Sequence, residues 1–171
     1  HRDCNYSQGP EESIKGIICP ECHKPLTVGV MDRVEELKVR SEAAEIKDQK
    51  GVKWMFHPKG TRPSYVSMVP LGEILSEVFQ AGSGTKKVSD SYITLVNSFG
   101  SEFAVLLKAD LEEIKKLSSE KVAQGISKVR DRNIVIEPGY DNKFGVVKIW
   151  QDVVDLEPKD AGSESQLNLL V

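Results

Sequence analysis

Cysteine and histidine side chains are concentrated at the start of the chain. The sequence contains three cysteines and three histidines, and five of these six residues lie within the first 23 positions. The spacing is His1-x2-Cys4 followed by Cys19-x2-Cys22. Two residues between ligands allow a tight turn to direct both side chains at one point, and two such turns supply the four ligands of tetrahedral zinc. We therefore predict a structural zinc ion bound by His1, Cys4, Cys19 and Cys22.

Other interpretations of this cluster remain open from the sequence. His23 is a second candidate for the fourth ligand, although it lies directly beside Cys22. The cysteines could also be ordinary buried residues, and a redox-active CxxC pair is disfavoured because no βαβ pattern surrounds it. An odd number of cysteines argues against a disulfide framework. With four protein ligands the site would be closed, and the metal would stabilise a module with little core of its own.

Length and charge set broader limits. A chain of 171 residues suits one domain, or a small module joined to a larger one. No apolar run approaches the length of a membrane span and no signal peptide is recognised, so we expect a soluble cytoplasmic protein with no membrane partner. Residues 152–171 carry five acidic residues and one lysine, which leaves the remainder close to neutral. This balance neither indicates nor excludes a nucleic-acid partner.

Hydrophobic periodicity gives the expected elements. Helices are predicted over about 30–44, 69–80, 85–100, 110–117 and 119–130, and strands over 102–107, 133–138 and 145–150. Residues 52–65, with aromatic residues, basic residues and two prolines, are predicted to form a surface loop. The predicted fold is α+β: a small N-terminal zinc knuckle (1–29), a helix-rich domain (30–155) with a small mixed or antiparallel sheet of three or more strands, and a flexible acidic tail (156–171).

Several segments, in order, carry a resemblance to a known family. They are "HRDC", "CPECHKPLTVGVMDRVEEL", "YVSMVPLGEIL", "TKKVSDSYITLVNSFGSEFAVLL" and "IEPGYDNKFGVVKI". Together they resemble the C-terminal region of the endonuclease Q family, in which such a region follows a PHP-type metal-dependent nuclease domain; some relatives are labelled as related to UvrD helicases. The resemblance implies a DNA repair endonuclease that nicks on the 5′ side of deaminated bases or abasic sites.

The same resemblance implies that the catalytic part lies outside this sequence. A PHP site begins with an H-x-H pair, and the chain has none; His57 is its only histidine outside the predicted knuckle. We therefore expect a DNA-recognition region without nuclease activity of its own, with the PHP domain of the same parent chain as a partner.

Damaged DNA is the other expected partner. The segment "GYDNKFG" combines glycines for close approach, aromatic rings for stacking and polar side chains for base edges. The candidate contacts to the damaged nucleotide are Gly139, Tyr140, Asp141, Asn142, Lys143, Phe144 and Gly145. Candidate phosphate contacts are Lys59, Arg62, Lys86 and Lys87, with Lys143. The alternatives are a hairpin whose aromatic residues only pack, and ordinary surface charges. "GSGTKK" departs from a phosphate-binding loop at Thr85 and Lys87, so ATP binding is not predicted.

The end of the chain suggests a further partner. The polar segment "EPKDAGSES" is followed by "QLNLLV", in which Gln166, Leu167, Leu169 and Leu170 resemble the bacterial sliding-clamp motif. The alternative is that these leucines pack against the rest of the chain. For the whole chain, the alternative function is a protein-interaction module stabilised by zinc that makes no contact with DNA.

Overall fold

The computed structural model describes residues 1–38 and 44–151, which contain six α-helices and four β-strands. Two 3₁₀ turns at Arg2–Cys4 and Pro10–Lys15 precede them. The helices are α1 (Val30–Leu37), α2 (Leu71–Phe79), α3 (Lys86–Phe99), α4 (Glu102–Leu107), α5 (Leu111–Leu117) and α6 (Glu120–Arg130). The strands are β1 (Glu45–Asp48), β2 (Lys53–Phe56), β3 (Val135–Glu137) and β4 (Val146–Lys148).

Helices α2–α6 build the hydrophobic core. Helix α2 buries Leu71, Ile74, Leu75 and Val78, the i, i+3, i+4, i+7 set that the sequence predicts for one face. The core also contains Leu95 of α3, Val105 of α4, Ile114 of α5, Ile126 of α6 and Ile149 after β4. The helical predictions for α2, α3, α5 and α6 are confirmed.

Glycine and capping residues set the helix boundaries. Gly100 ends α3 with φ 88°, a left-handed conformation that costs a residue without a side chain little. The next three helices begin at side-chain caps, because Ser101, Asp110 and Ser119 each accept a hydrogen bond from a backbone amide of the following turn. Across these short connections α3 packs against α4 and α5 packs against α6, and α6 also contacts α4.

Residues 102–107 form helix α4, so the predicted strand at this position is wrong. A short apolar run has no periodicity that separates a buried strand from a buried helix. The hydroxyl of Ser101 caps the helix at the amide of Ala104, and Glu102 accepts hydrogen bonds from Leu71 N (2.7 Å) and Tyr92 Oη (3.0 Å). The cap and these two contacts favour the helix.

Residues 45–56 form an antiparallel hairpin, which corrects the loop predicted for residues 52–65. Lys50 (φ 56°) and Gly51 (φ 76°) occupy the two left-handed positions of the turn, the requirement of a two-residue type I′ connection. Met55 of β2 is buried and exchanges both backbone hydrogen bonds with Tyr65. Lys-Gly after a polar stretch was the sequence signal for this hairpin.

The sheet is smaller than predicted. Strands β1 and β2 form one two-stranded antiparallel sheet, and β3 and β4 form another. The second is the hairpin that the sequence predicts around residues 139–144. Within residues 1–38 and 44–151 no sheet of three strands is present, because the two hairpins do not pair with each other.

Helix α1 spans eight residues of the segment predicted as helical to about position 44; residues 39–43 lie outside the described part. Its apolar residues Val30 (80% exposed), Val34 (51%) and Leu37 (59%) face solvent.

None of the helices described here is long and apolar enough to cross a membrane. The predicted tail, residues 156–171, also lies outside the described residues.

Candidate functional site: a Cys/His centre beneath a hairpin

The structure brings His1, Cys4, Cys19 and Cys22 into one cluster. Their donor atoms all lie within 4.8 Å of one another. His1 Nδ1 is 3.2 Å from Cys4 Sγ and 3.9 Å from Cys22 Sγ. Around a tetrahedral zinc with ordinary bond lengths, neighbouring ligand atoms are about 3.5–3.8 Å apart. The cluster therefore has the donor set and the size of a site that could hold a metal ion.

Two tight turns present these ligands. The 3₁₀ turn Arg2–Cys4 follows His1 directly, and the second turn is closed by hydrogen bonds from His23 N to Cys19 O and from Cys19 N to Lys24 O, both 2.9 Å. His23 is exposed, has a left-handed backbone (φ 59°) and is not part of the cluster. The geometry thus groups His1, and not His23, with the three cysteines.

The pKa values of the cysteine thiols are also consistent with a bound cation. The pKa of Cys4 is raised to about 12, first by its hydrogen bond with the Cys22 thiol and then by burial and Cys19. Burial acts in the same direction on Cys19, but hydrogen bonds with the backbone amides of Cys22 and Glu21 and with the thiols of Cys22 and Cys4 together lower that pKa. Neighbouring thiols resist losing several protons together unless a positive charge lies between them. A bound metal ion would supply that charge.

Residues 1–29, which carry these four side chains, are called the Cys/His centre below. The tip of the β3–β4 hairpin contacts this segment. Asp141 and Asn142 have left-handed φ angles of 46° and 63°, and Tyr140 and Lys143 pair through both backbone hydrogen bonds. This is the geometry of a two-residue type I′ turn. The turn is therefore a defined hairpin end rather than an irregular loop.

Four hydrogen bonds join the hairpin tip to the Cys/His centre. Asp141 accepts from Arg2 N (2.8 Å) and from Thr27 Oγ1 (3.0 Å). Asn5 Oδ1 accepts from Tyr140 Oη and from Lys143 Nζ, each at 2.8 Å. The amide of Arg2, followed by the Thr27 hydroxyl, lowers the pKa of Asp141. Residues beside the first ligand pair (Arg2 and Asn5) and a residue after the second pair (Thr27) therefore hold the tip in place.

Gly139 and Gly145 let the two hairpin strands approach closely. A Cβ at Gly139 would lie 2.6 Å from Gly145 N and from Lys143 O, and a Cβ at Gly145 would lie 2.7 Å from Glu137 O. These distances leave no room for a side chain at either position. The close approach seen here is between the two strands of the hairpin, and close approach of a nucleotide to these glycines stays a prediction.

A groove of about 560 Å³ opens where the Cys/His centre, α1 and the hairpin meet. Its lining is mainly apolar and includes Ile17, Val28, Met31, Pro138 and Tyr140. Phe144, which does not line the groove, is 94% exposed. The groove has the volume of an ordinary small-ligand site and carries hairpin residues at one edge.

The other predicted DNA contacts lie on different elements. Lys59 and Arg62 are exposed on the segment between β2 and Tyr65. Lys86 and Lys87 are the first residues of α3, and Lys87 Nζ lies 4.5 Å from the ring centroid of Phe79. The clamp-motif residues Gln166, Leu167, Leu169 and Leu170 lie outside the described residues.

Sequence reasoning missed Arg2, Asn5 and Thr27 as the residues that hold the hairpin. Their partners are 114 to 139 positions away in the chain. Asn5 has a left-handed backbone (φ 49°) at the end of the turn that carries His1 and Cys4. An asparagine in this position has an ordinary turn role, so no local signal indicated its long-range contacts.

Comparison with known proteins places this geometry in context. Residues 70–133, which contain α2–α6, match the model of the MJ0043 C-terminal domain. The chain is 34% identical over 137 residues to MJ0043 of Methanocaldococcus jannaschii, covering 80% of this chain and 16% of that protein. It is 30% identical over 140 residues to YqxK of Bacillus subtilis, covering 81% of this chain and 30% of that protein.

Two solved structures are similar over nearly the whole chain. The lesion-specific endonuclease PfuEndoQ from Pyrococcus furiosus matches with TM-score 0.66 and 29% identity, covering 92% of this chain and 36% of the other. An endonuclease Q bound to a 27-mer duplex with an abasic lesion at the active site matches with TM-score 0.61 and 28% identity, covering 93% and 36%. The chain is therefore similar in sequence and fold to part of endonuclease Q, and it spans only about a third of the solved chains it matches.

Proposed function

We propose that this chain is the damaged-base-recognition region of a DNA repair endonuclease that nicks 5′ of deaminated bases or abasic sites. The observation that carries the proposal is the similarity, over more than nine-tenths of the chain, to endonuclease Q, one structure of which holds a duplex with an abasic lesion. That protein's substrate suggests the substrate class of this one.

The hairpin and groove support a role in recognition. An enzyme that reads a single base must take it out of the stack and hold it by stacking and by hydrogen bonds to its edge. Gly139, Tyr140 and Asp141 of the hairpin line one edge of a mainly apolar groove of about 560 Å³. We assign the nucleotide at the lesion to this region, and the phosphates to Lys59, Arg62, Lys86 and Lys87.

The Cys/His centre would hold a structural zinc ion in this proposal. Its four donors leave no open position for substrate, so the ion would fix the fold and would not take part in chemistry. His1, Cys4, Cys19 and Cys22 would then position the hairpin through the neighbouring residues Arg2 and Asn5.

The test compares DNA binding by the zinc-loaded chain. Duplexes carrying uracil, hypoxanthine or an abasic site are titrated against an undamaged duplex of the same sequence, with Lys86→Ala as the matched variant. We expect preference for the lesions, with Lys86→Ala weakening all duplexes alike and reducing the salt dependence. Equal and weak binding to every duplex would favour the alternative, a protein-interaction module.

We also expect no strand cleavage with any divalent metal, because cleavage would belong to a PHP domain outside this sequence.

A second partner is proposed from the sequence of the tail. Gln166, Leu167, Leu169 and Leu170 would bind a bacterial sliding clamp, and the polar segment before them would act as a linker that raises the effective concentration near DNA. A peptide of residues 161–171 should bind such a clamp with roughly micromolar affinity. If replacing Gln166 and Leu169 with alanine leaves that binding unchanged, the motif is not responsible.

A further inference from the structure

The two aromatic residues of the hairpin tip are in different environments. Tyr140 is half-buried, donates its hydroxyl hydrogen to Asn5 Oδ1 (2.8 Å), and has Lys143 Nζ 5.5 Å from its ring centroid. Phe144 is 94% exposed, the most exposed large apolar side chain among the described residues. The fold therefore leaves nearly the whole ring of Phe144 accessible to a molecule outside the chain.

The backbone that carries Phe144 is held rigidly. On one side Lys143 donates to Asn5 and pairs with Tyr140, and on the other Gly145 lies against Glu137 O and Gly139 N, so closely that a Cβ would be 2.7 Å from both. Asp141 fixes the turn to Arg2 and Thr27. A ring presented on so constrained a backbone loses little conformational entropy on binding, which favours a defined insertion.

We propose that Phe144 is the residue that enters the base stack at the lesion, and that Tyr140, Asp141 and Asn5 are positioning residues that aim it. This inference rests on the proposed function. A lesion site already has weakened stacking, and an apolar ring inserted there replaces the lost stacking and keeps the duplex open. The roles of the two aromatic residues thus differ from the equal stacking roles that the sequence suggests.

The test is a set of substitutions at Phe144 in the zinc-loaded chain, with Phe103 of α4, which is 71% exposed, as the matched control. Phe144→Ala should weaken binding to an abasic-site duplex by roughly five- to a hundredfold, the range for loss of one aromatic stack. Phe103→Ala should leave that affinity unchanged. Both variants should keep the thermal midpoint of the wild type, since neither ring is part of the core.

A spectroscopic measurement tests insertion directly. Phe144→Trp should retain lesion binding, and its added indole fluorescence, above that of Trp54 and Trp150, should be quenched by the abasic-site duplex. Phe103→Trp should show no added quenching. Asn5→Ala should reduce both the affinity for the lesion and the quenching of Phe144→Trp.

The outcomes separate this inference from the proposed function. If the wild-type chain shows no preference for damaged DNA, the proposed function fails. If it prefers damaged DNA but Phe144→Ala binds equally well, or the indole at position 144 is not quenched, the role of Phe144 is overturned while the proposed function stands.

Discussion

Arg130 is a charged side chain that the helical core buries, with 5% of its surface exposed. Its guanidinium donates to three backbone carbonyls: Leu106 (2.8 Å), Val105 (2.9 Å) and Ala109 (2.7 Å). These carbonyls lie at the end of α4, where a helix leaves acceptors without intrahelical partners. Burial lowers the pKa of Arg130, with Asp110 opposing the shift. One side chain of α6 therefore donates to two carbonyls in the last turn of α4 and to one carbonyl just after it.

We expect Arg130→Met to destabilise the protein by about 3 kcal/mol, because it leaves buried carbonyls without donors. Urea unfolding monitored by far-UV circular dichroism measures the change. Lys116→Met, at an exposed position of α5, is the matched control and should change the free energy of unfolding by less than about 0.5 kcal/mol. Similar losses for the two variants would contradict this account of α4.

At the scale of elements, Glu77 joins the end of the β3–β4 hairpin to α2. Its carboxylate accepts from Ile149 N (2.9 and 3.0 Å) and from Trp150 N (3.0 Å). This contact delivers Ile149, which is 2% exposed, into the core. Gly125 of α6 makes room for the neighbouring Trp150 ring, since a Cβ at position 125 would lie 3.1 Å from both Ile74 Cγ2 and Trp150 Cη2.

Glu77→Ala should therefore destabilise the chain by about 1–3 kcal/mol, the usual cost of buried donors that lose their acceptor. It should also accelerate hydrogen exchange at the amide of Ile149. The control is Glu73→Ala, an exposed glutamate one turn earlier on the same helix. If both variants unfold at the same urea concentration as the wild type, Glu77 does not anchor this segment.

At the scale of the whole molecule, two parts depend on different interactions. The buried members of the hydrophobic core cluster and the partly buried residues packed against them all lie between Met68 and Trp150, and none comes from residues 1–29. The segment of residues 1–29 instead brings together four side chains that could hold a metal ion. Its contact with the hairpin tip consists of the hydrogen bonds of Asp141, Tyr140 and Lys143 described above.

Removing the metal should therefore unfold residues 1–29 and leave the helical core folded. The purified chain should contain about one zinc ion under reducing conditions. Chelation or Cys22→Ser should abolish a separate thermal transition, and it should speed hydrogen exchange at the amides of Tyr140 and Lys143 while the core amides of α2 and α6 stay protected. A chain that binds no zinc, or one whose core unfolds together with residues 1–29, would contradict the prediction.

The sequence by itself determined the features that depend on neighbouring residues. Helical periodicity and capping residues predict α2, α3, α5 and α6, and the x2 spacings predict the grouping of Cys4, Cys19 and Cys22. The position of the β3–β4 hairpin also follows from turn residues between two short apolar runs. Each of these signals acts within a few residues, so it survives in any context that permits folding.

Only the tertiary structure decided the rest. The apolar run of α4 is compatible with a buried strand as well as with a helix. The cap at Ser101, the contacts of Glu102 and the contacts of Arg130 select the helix. The placement of the hairpin on the Cys/His centre, and with it the different environments of Tyr140 and Phe144, depends on partners more than 110 residues apart. A local pattern specifies which residues can form an element, but not which distant surface that element meets, because the latter depends on how the whole chain packs.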